Sequence, residues 1–529
     1  MEFLCQLSFK KVKNSFIQEA YMELVYRERE GGESFVESWR GARVGDAEEK
    51  SKKLISEGYS EIDRYNFGLA EVRVFSRGDE LALFTYYESA GVLRLVTEGD
   101  SGYLSYLSEK AGADALAPRR FQPIFTQVDL DDFGLSNLIK LPDGRFVIFD
   151  GGWDVDSHAD NLINTLTEQS NVTRPVIAAW IMTHPHIDHY RCYLNFARRY
   201  EGRVEIENFI YNFPDPDPTD ERFAIMAKGT EFEHVAIFNE LVAKSGARFI
   251  RAHTGEVFDF AGVKFEILSS PDDVIYVPIK NMNDYCLVFK VYAEGQTLLL
   301  PGDAQFCNID LADRLGKYLK ADILQVHHHF FSGGDVRSFD LISPSVLVVP
   351  STDEISFSGM SIFKNDYGKT NEHLLYNVGA NECLTGGNGN IVLKLPYKSP
   401  EGARERMYAR IEAAKKSIGA TSWYFDGITA DEAEFTFINS VWEENTVYAD
   451  LIFENSDNNV VNIKFTIPKR SMKKLNILTD ESIDPDNIVL NRMSLKKRGG
   501  VPDGATFAVH IKAKKPIVVS WKKPAVYFS

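Results

Sequence analysis

Apolar residues recur with changing periods along this chain, and the changes divide it into three regions. Residues 1 to about 125 alternate between charged segments and β patterns. Runs at 70–75 (AEVRVF), 81–87 (LALFTYY) and 92–96 (VLRLV) predict an antiparallel meander, with RGDE and ESAG as its turns. Residues 126–398 alternate strand and helix signals. Runs at 135–140 and 145–149 flank the turn Pro142-Asp143-Gly144, a hairpin signal. Residues 161–168 and 190–200 read as helices. The unbroken apolar run 176–182 (VIAAWIM) reads as a strand buried on both faces. Further strands are expected at 263–268, 286–291, 297–300, 323–326 and 346–349. Such alternation predicts a layered α/β domain. Residues 399–529 open with a helix at 401–417. They continue as β patterns at 447–453, 460–467, 506–511 and 517–521, which predict a sandwich-like terminal domain.

Composition narrows the class. With 529 residues, 44% hydrophobic and 26% charged, the chain is globular and too long for one core. No run approaches the roughly 18 apolar residues of a membrane span, and no secretion leader is visible. The net charge of −17 gives no overall pull toward nucleic acid or an anionic membrane. Nucleic acid stays open as a partner only through the basic stretch 492–523, where Asp503 is the one acid; a lysine-protected sheet edge is the plainer reading. Cys5, Cys192, Cys286, Cys307 and Cys383 form no CxxC pair. This excludes a cysteine zinc knuckle and fits a reducing, cytoplasmic setting. Trp153, Trp180, Trp423, Tyr424 and Trp442 could stack on sugars, but aromatic residues more often fill cores. Oligomeric state is not legible.

The chemistry concentrates after VIAAWIM. His184, His186, Asp188 and His189 fall within six residues at a strand end, where α/β sheets place their sites. With 11 histidines in the chain, such a set arises by chance in roughly three chains of 10,000. Imidazole and carboxylate suit zinc, and also iron or manganese. Strand 145–149 ends in Asp150-Gly151-Gly152, and strand 297–300 ends in Pro301-Gly302-Asp303. Strand 323–326 ends in His327-His328-His329.

These motifs, in this order over residues 130–396, resemble the metallo-β-lactamase superfamily. The resemblance implies an αββα sandwich core flanked by the N-terminal and C-terminal β-rich domains. It implies two metal ions, zinc first, held by His184, His186, Asp188, His189, Asp303 and His328. Asp303 bridges the ions and Asp150 supports the metal loop from behind. His327 and His329 are alternates to His328. The family's GHTPG-like histidine motif is absent; Ser269-Ser270-Pro271-Asp272-Asp273 stands in its place. The pattern Asn283-Asp284-Tyr285-Cys286 before a strand is similar to the hydrolase domain of DNA-uptake channel proteins and to phosphorylcholine esterases, so Asn283 or Asp284 is expected to complete the first site. His234 and His253 read as surface histidines. The implied activity is hydrolysis by a metal-activated hydroxide, with Asp188 also taking a proton. A phosphodiester or related small phosphoester is the expected substrate, and His327, His329, Ser332, Gly333 and Gly334 could contact its anionic group. A lactone, thioester or β-lactam, or a non-catalytic metal module, are the alternatives.

Overall fold

The protein is described here by a computed structural model covering residues 22–31, 34–68, 70–113, 120–130, 134–213, 231–274, 282–306, 309–331, 333–352, 356, 366–387, 389–418, 420–429, 432–439, 443–453, 460–469, 471–480, 489–490, 493–494, 506–521 and 526–528. Cys5, Cys307, Ser332, Trp442 and residues 495–505 of the basic stretch lie outside them. The chain forms two compact units, residues 1–100 and 101–529. The expected boundaries near 125 and 398 both fall inside the second.

The first unit is one antiparallel sheet with a helix on it. Its elements are β1 (Glu23–Gly31), β2 (Ser34–Arg40), α1 (Val44–Ser56), β3 (Ser60–Phe67), β4 (Ala70–Arg77), β5 (Glu80–Tyr87) and β6 (Val92–Glu98), in the order β1-β2-β6-β5-β4-β3. The period of two along β5 and β6 turns Ala82, Phe84, Tyr86, Leu93 and Leu95 toward Ala47 and Leu54 of α1. Arg73, buried at 1% exposure, reaches the same helix through Glu48 (2.6 Å) and Ser51 (2.8 Å).

The second unit carries two mixed sheets. The first contains β7 (Ile124–Gln127), β8 (Ser136–Lys140), β9 (Phe146–Asp150), β10 (Val176–Ile181), the short β11 (Glu205–Ile206), β12 (Asn208–Tyr211) and β13 (Arg248–Arg251). Helices α2 (Gly102–Ala113), α3 (Asp156–Gln169), α4 (Cys192–Arg199) and α5 (Glu231–Ser245) belong to this half. The second sheet contains β14 (Val257–Phe260), β15 (Val263–Ser269), β16 (Val288–Ala293), β17 (Gln296–Leu300), β18 (Ile323–Gln325), β19 (Val346–Thr352) and β20 (Glu382–Gly386), with α6 (Leu311–Leu315) and α7 (Val336–Ile342) between strands. Strand β21 (Ile391–Lys394) returns to the first sheet beside β7. The orders are β13-β12-β10-β9-β8-β7-β21 and β14-β15-β16-β17-β18-β19-β20. In each sheet antiparallel hairpins give way to parallel strands: β9, β10, β12 and β13 in one, β17 to β20 in the other.

The sheets face each other. Phe149 of β9 sits 6.2 Å from Phe265 and 5.3 Å from Phe289 between ring centroids, and Gln127 donates to the Val349 carbonyl at 2.9 Å. The other face of the first sheet is covered by α3, α4 and α5, around Trp180, Tyr193, Phe196, Phe209 and Phe238. Removing Phe149 is expected to cost about 3–5 kcal/mol, as for a buried aromatic.

A β-rich region follows the helix Ala403–Ile418. Its strands are β22 (Ser422–Ile428), β23 (Glu434–Asn439), β24 (Asn445–Phe453), β25 (Val460–Ile467), β26 (Ser471–Asn476), β27 (Val489–Leu490), β28 (Met493–Ser494), β29 (Phe507–Ala513), β30 (Val518–Ser520) and β31 (Val526–Phe528). They form sheets β28-β27-β25-β24-β29-β22-β31 and β26-β23-β30 over one apolar core. Trp423 is part of that core, its Nε1 donating to the Ile517 carbonyl at 2.9 Å, and Trp180 is likewise core; Tyr424 is 36% exposed. Among the described residues no helix is long and apolar enough to cross a membrane.

One buried histidine ties α3 to the strand ends. The Trp153 N–H donates to His158 Nδ1 at 3.0 Å, so Nε2 carries the proton toward the Leu130 carbonyl, also 3.0 Å away. Burial, partly offset by that carbonyl, holds its pKa down at about 4. The folded value lies below the unfolded one of about 6.5, so this stability is complete above pH 6.5 and is lost as pH falls toward 4. The loss at pH 5 is about 2 kcal/mol. The melting midpoint of the wild type should therefore drop more between pH 7 and pH 5 than that of His158→Gln in scanning fluorimetry. Parallel curves would show that His158 does not carry this dependence.

Candidate metal centre

Four strand ends supply the candidate residues. Asp150 ends β9, the HxHxDH loop follows β10, Asp303 follows β17, and His327–His329 follow β18. The Leu287 N–H donates to the Thr183 carbonyl at 2.9 Å, joining the two sheets beside these ends.

Asp150 is fully buried and adopts φ +55, a left-handed conformation costing an L residue about 1–2 kcal/mol. Its hydrogen bonds offset that cost. Oδ1 accepts from the Thr183 N–H (2.7 Å), and Oδ2 accepts from Thr183 Oγ1 (2.7 Å) and His189 Nδ1 (2.8 Å). Its carbonyl takes Trp180 Nε1 at 2.9 Å. A Cβ on Gly152, at φ +96, would lie 2.7 Å from His158 Nδ1, so the close approach of this turn to α3 requires glycine.

The loop then folds tightly, with the His186 N–H on the His184 carbonyl and the His189 N–H on the His186 carbonyl, both 3.1 Å. Two groups of donors result. Asp188, His189, Asp303 and His329 form one; His184, His186 and Asp303 form the other, and the atoms within each lie within 4.8 Å of one another. Asp303 belongs to both. In the four-residue group the His329 Nε2–Asp188 Oδ2 distance is 3.0 Å and His329 Nε2–Asp303 Oδ2 is 3.3 Å. His189 Nε2 stands 3.2 Å from Asp303 Oδ2 and 3.7 Å from Asp188 Oδ2. Ligands at the corners of a zinc tetrahedron sit about 3.3 Å apart, given metal–nitrogen bonds near 2.0–2.1 Å. The observed edges scatter around that value. In the other group His184 Nε2 and His186 Nδ1 are 2.9 Å apart.

Electrostatics separate the groups. Burial, helped by neighbouring histidines, pushes His184 well below its usual pKa, and burial also lowers His186. Both present neutral nitrogen. Burial pulls His189 and His329 down as well, but Asp303 and Asp188 outweigh it: His189 is held well above its usual value and His329 is raised to about 9. Burial works against ionisation of Asp188 and Asp303, yet the same imidazoles hold both carboxyls below the usual range. The charge of the two carboxylates is thus balanced by protons on two imidazoles, and one divalent cation in that place carries the same charge. Asp303 Oδ1 is buried with no hydrogen-bond partner among the described residues, as suits a carboxylate with a second ligand position to offer. The residues fit a metal.

The three histidines after β18 go three ways. His327 is buried against Phe306 and Phe339, with centroids 4.7 and 5.4 Å away, and a Cβ on Gly334 would strike its ring at 2.5 Å. His328 is outside both donor groups. Its Nε2 is 3.9 Å from Asp303 Oδ2 and 3.2 Å from the Asn283 amide nitrogen, and its Nδ1 is 3.3 Å from that of Gln305. His329 points into the carboxylates, with Nδ1 3.2 Å from the Pro350 carbonyl. The structure therefore brings His329 into the cluster in the place expected of His328. The cause is backbone: His328, His329 and Phe330 have φ of +47, +50 and +68, and this left-handed stretch rotates each successive side chain away from the extended pattern. Asn283 sits against His328, and Asp284 joins neither donor group. Gly333 and Gly334 pack on Gln305 and His327.

His253 departs from expectation. It is fully buried, its Nδ1 3.1 Å from Asp272 Oδ1, in a polar network where Thr254 Oγ1 donates to Asp273 at 2.7 Å. Those carboxylates come from the SSPDD segment, and nothing local to His253 announces them. His234 is partly buried, 3.2 Å from Arg191. Cys192, Cys286 and Cys383 are buried and outside any disulfide. Sequence reasoning also passed over Gln305, whose contact with His328 depends on that residue's unusual backbone.

No family model and no curated protein matches the sequence. Among solved structures the chain is similar to a sensory rhodopsin transducer from Anabaena, with 20% identity over 20% of this chain and 97% of that one, TM-score 0.15. It is similar to a protein named a metal-dependent hydrolase from Parabacteroides distasonis, with 13% identity over 50% and 93%, TM-score 0.27. It is also similar to a β-lactamase domain protein from Burkholderia ambifaria, with 12% identity over 57% and 77%, TM-score 0.24. Likenesses this weak assign nothing; the side-chain geometry stands alone.

Asp150→Asn keeps the volume but removes an acceptor from His189 Nδ1–H and Thr183 Oγ1–H. The expected result is a roughly 10–100-fold loss of zinc affinity, typical of residues that orient a ligand from behind. Competition with a chromophoric chelator measures it, and an unchanged affinity would remove Asp150 from the centre.

Proposed function

We propose that this chain is a dinuclear, zinc-dependent hydrolase acting on a phosphodiester or related phosphoester. The observation that carries the reading is Asp303, one buried carboxylate common to two histidine-containing donor groups. Bound metal at such a centre supplies a Lewis acid and lowers the pKa of water toward neutrality. The chain's residues do the rest. His184, His186 and Asp303 would hold one ion; Asp188, His189, His329 and Asp303 would hold the other. Asp150 takes His189 Nδ1–H, so Nε2, beside Asp303, is the atom that would be given to metal in place of its proton. Asp188 would also take a proton during attack, a role this reading gives it beside its place in the four-residue group. His328, Asn283 and Gln305 form a polar trio beside Asp303, with His328 one-fifth exposed, and are suited to contact substrate oxygens. Phosphoester is favoured over lactone or thioester by the resemblance of the Asn283–Cys286 segment and by the absence of the GHTPG-like histidine motif.

The test joins metal analysis to turnover. The purified protein should contain close to two zinc ions per chain and hydrolyse bis(p-nitrophenyl) phosphate. His186→Ala should lose more than about 100-fold in rate, beyond the range typical of residues lying behind the ligands. Metal with turnover only on lactones or thioesters would move the substrate class, and metal without any turnover would favour a binding module. A chain that binds no metal after reconstitution would sink the reading.

A further inference from the structure

The left-handed stretch that aims His329 is held by two side chains outside the donor groups. The Phe330 carbonyl accepts Asn371 Nδ2 at 2.7 Å, from the helix Asp366–Tyr376. The His329 carbonyl accepts Ser351 Oγ at 3.2 Å, from the end of β19. Both side chains are buried, Asn371 at 1% and Ser351 at 0% exposure. The start of the stretch is fixed by the His328 N–H on the Gly302 carbonyl at 3.1 Å, one residue before Asp303. The strained segment is therefore clamped at one end to the strand that carries Asp303 and at the other to a helix distant in sequence.

Three successive non-glycine residues at positive φ persist only where surroundings over-determine them. Freed of its clamp, the segment relaxes by rotating its peptides, and rotation of the peptides flanking His329 withdraws Nε2 from Asp188 and Asp303. His184 and His186 come from the loop after β10 and do not depend on this clamp. We propose that Asn371, seconded by Ser351, is a positioning residue of the metal centre, setting the affinity of the Asp188–His189–Asp303–His329 group and not that of the His184–His186–Asp303 group. The proposal rests on the two-metal reading above.

The experiment measures zinc affinity in two backgrounds by chelator competition. In His186→Ala the four-residue group is the intact one, and there Asn371→Ala is expected to weaken zinc about 10–100-fold. In His329→Ala the other group is the intact one, and there Asn371→Ala should change affinity by no more than about twofold. Ser351→Ala should act in the same direction as Asn371→Ala and more weakly, and it serves if Asn371→Ala folds poorly. Glycine adopts positive φ without strain, so adding His328→Gly to Asn371→Ala should recover about fivefold or more of the lost affinity. A purely structural asparagine would lower affinity equally in both backgrounds, with no glycine rescue; that outcome, or no change in either background, overturns the proposal. If the wild type binds no zinc, the two-metal reading fails and takes this one with it. If the wild type binds two ions and Asn371→Ala leaves the His186→Ala background unchanged, only the positioning role falls.

Discussion

Two carboxylates, Asp188 and Asp303, lie almost closed off from water with oxygens 3.0 and 3.3 Å from the same imidazole nitrogen of His329. Burying an ionised carboxylate costs several kcal/mol unless charge and hydrogen bonds balance it. Burying two side by side doubles the demand. Much of the second unit can be understood as the means of meeting it. Parallel strands from two facing sheets end at one edge, and each brings a partner: His184, His186 and His189 after β10, His329 after β18. Packing of Phe149 against Phe265 and Phe289 fixes the distance between the sheets, and so between Asp303 and the HxHxDH loop.

The same demand explains where backbone strain gathers. Asp150 and the run from His328 to Phe330 are left-handed non-glycine residues next to the cluster. Each is held by hydrogen bonds from another element: Thr183 and His189 on Asp150, Ser351 and Asn371 on the His329 and Phe330 carbonyls. Strain at a strand end redirects a side chain that an extended strand would leave standing on one face of the sheet. Gly152 contributes differently, by leaving room for His158 to lock the turn after Asp150.

What the sequence reveals of this follows the range of the interactions. The HxHxDH loop is legible because its spacing is local and the strand before it is continuously apolar. Asp150 and Asp303 are legible because each closes a strand. The choice among His327, His328 and His329 is not legible, because three identical side chains differ only in backbone conformation, and that conformation is set by Ser351 and Asn371 far along the chain. His253 looks like a surface residue because its carboxylate partner, Asp272, comes from a distant turn. In the first unit the buried strands β4 to β6 show clear patterns, but β3 (SEIDRYNF) is charged and mostly exposed, so no apolar alternation marks it as a strand. The αββα expectation drew on the order of motifs, and the two facing sheets with α3 to α5 on the outer face of one agree with it as far as the described residues extend.

Charge also bears on the substrate. Two divalent cations would bring four positive charges to a centre whose shared and terminal carboxylates, Asp303 and Asp188, supply two negative ones. Asp150 adds a third from behind His189. With His184 and His186 neutral and one hydroxide supplied by the metals, the sum would be close to zero, so net charge does not by itself choose between an anionic and a neutral ligand. The polar groups beside Asp303 add no formal carboxylate: His328, Asn283 and Gln305 present an imidazole and two amides, which can approach phosphate oxygens without repelling them. On the proposed two-metal reading it is therefore this lining, and not net charge, that favours a phosphoester over a neutral ester: two amides and an imidazole can meet phosphate oxygens that a carboxylate in their place would repel.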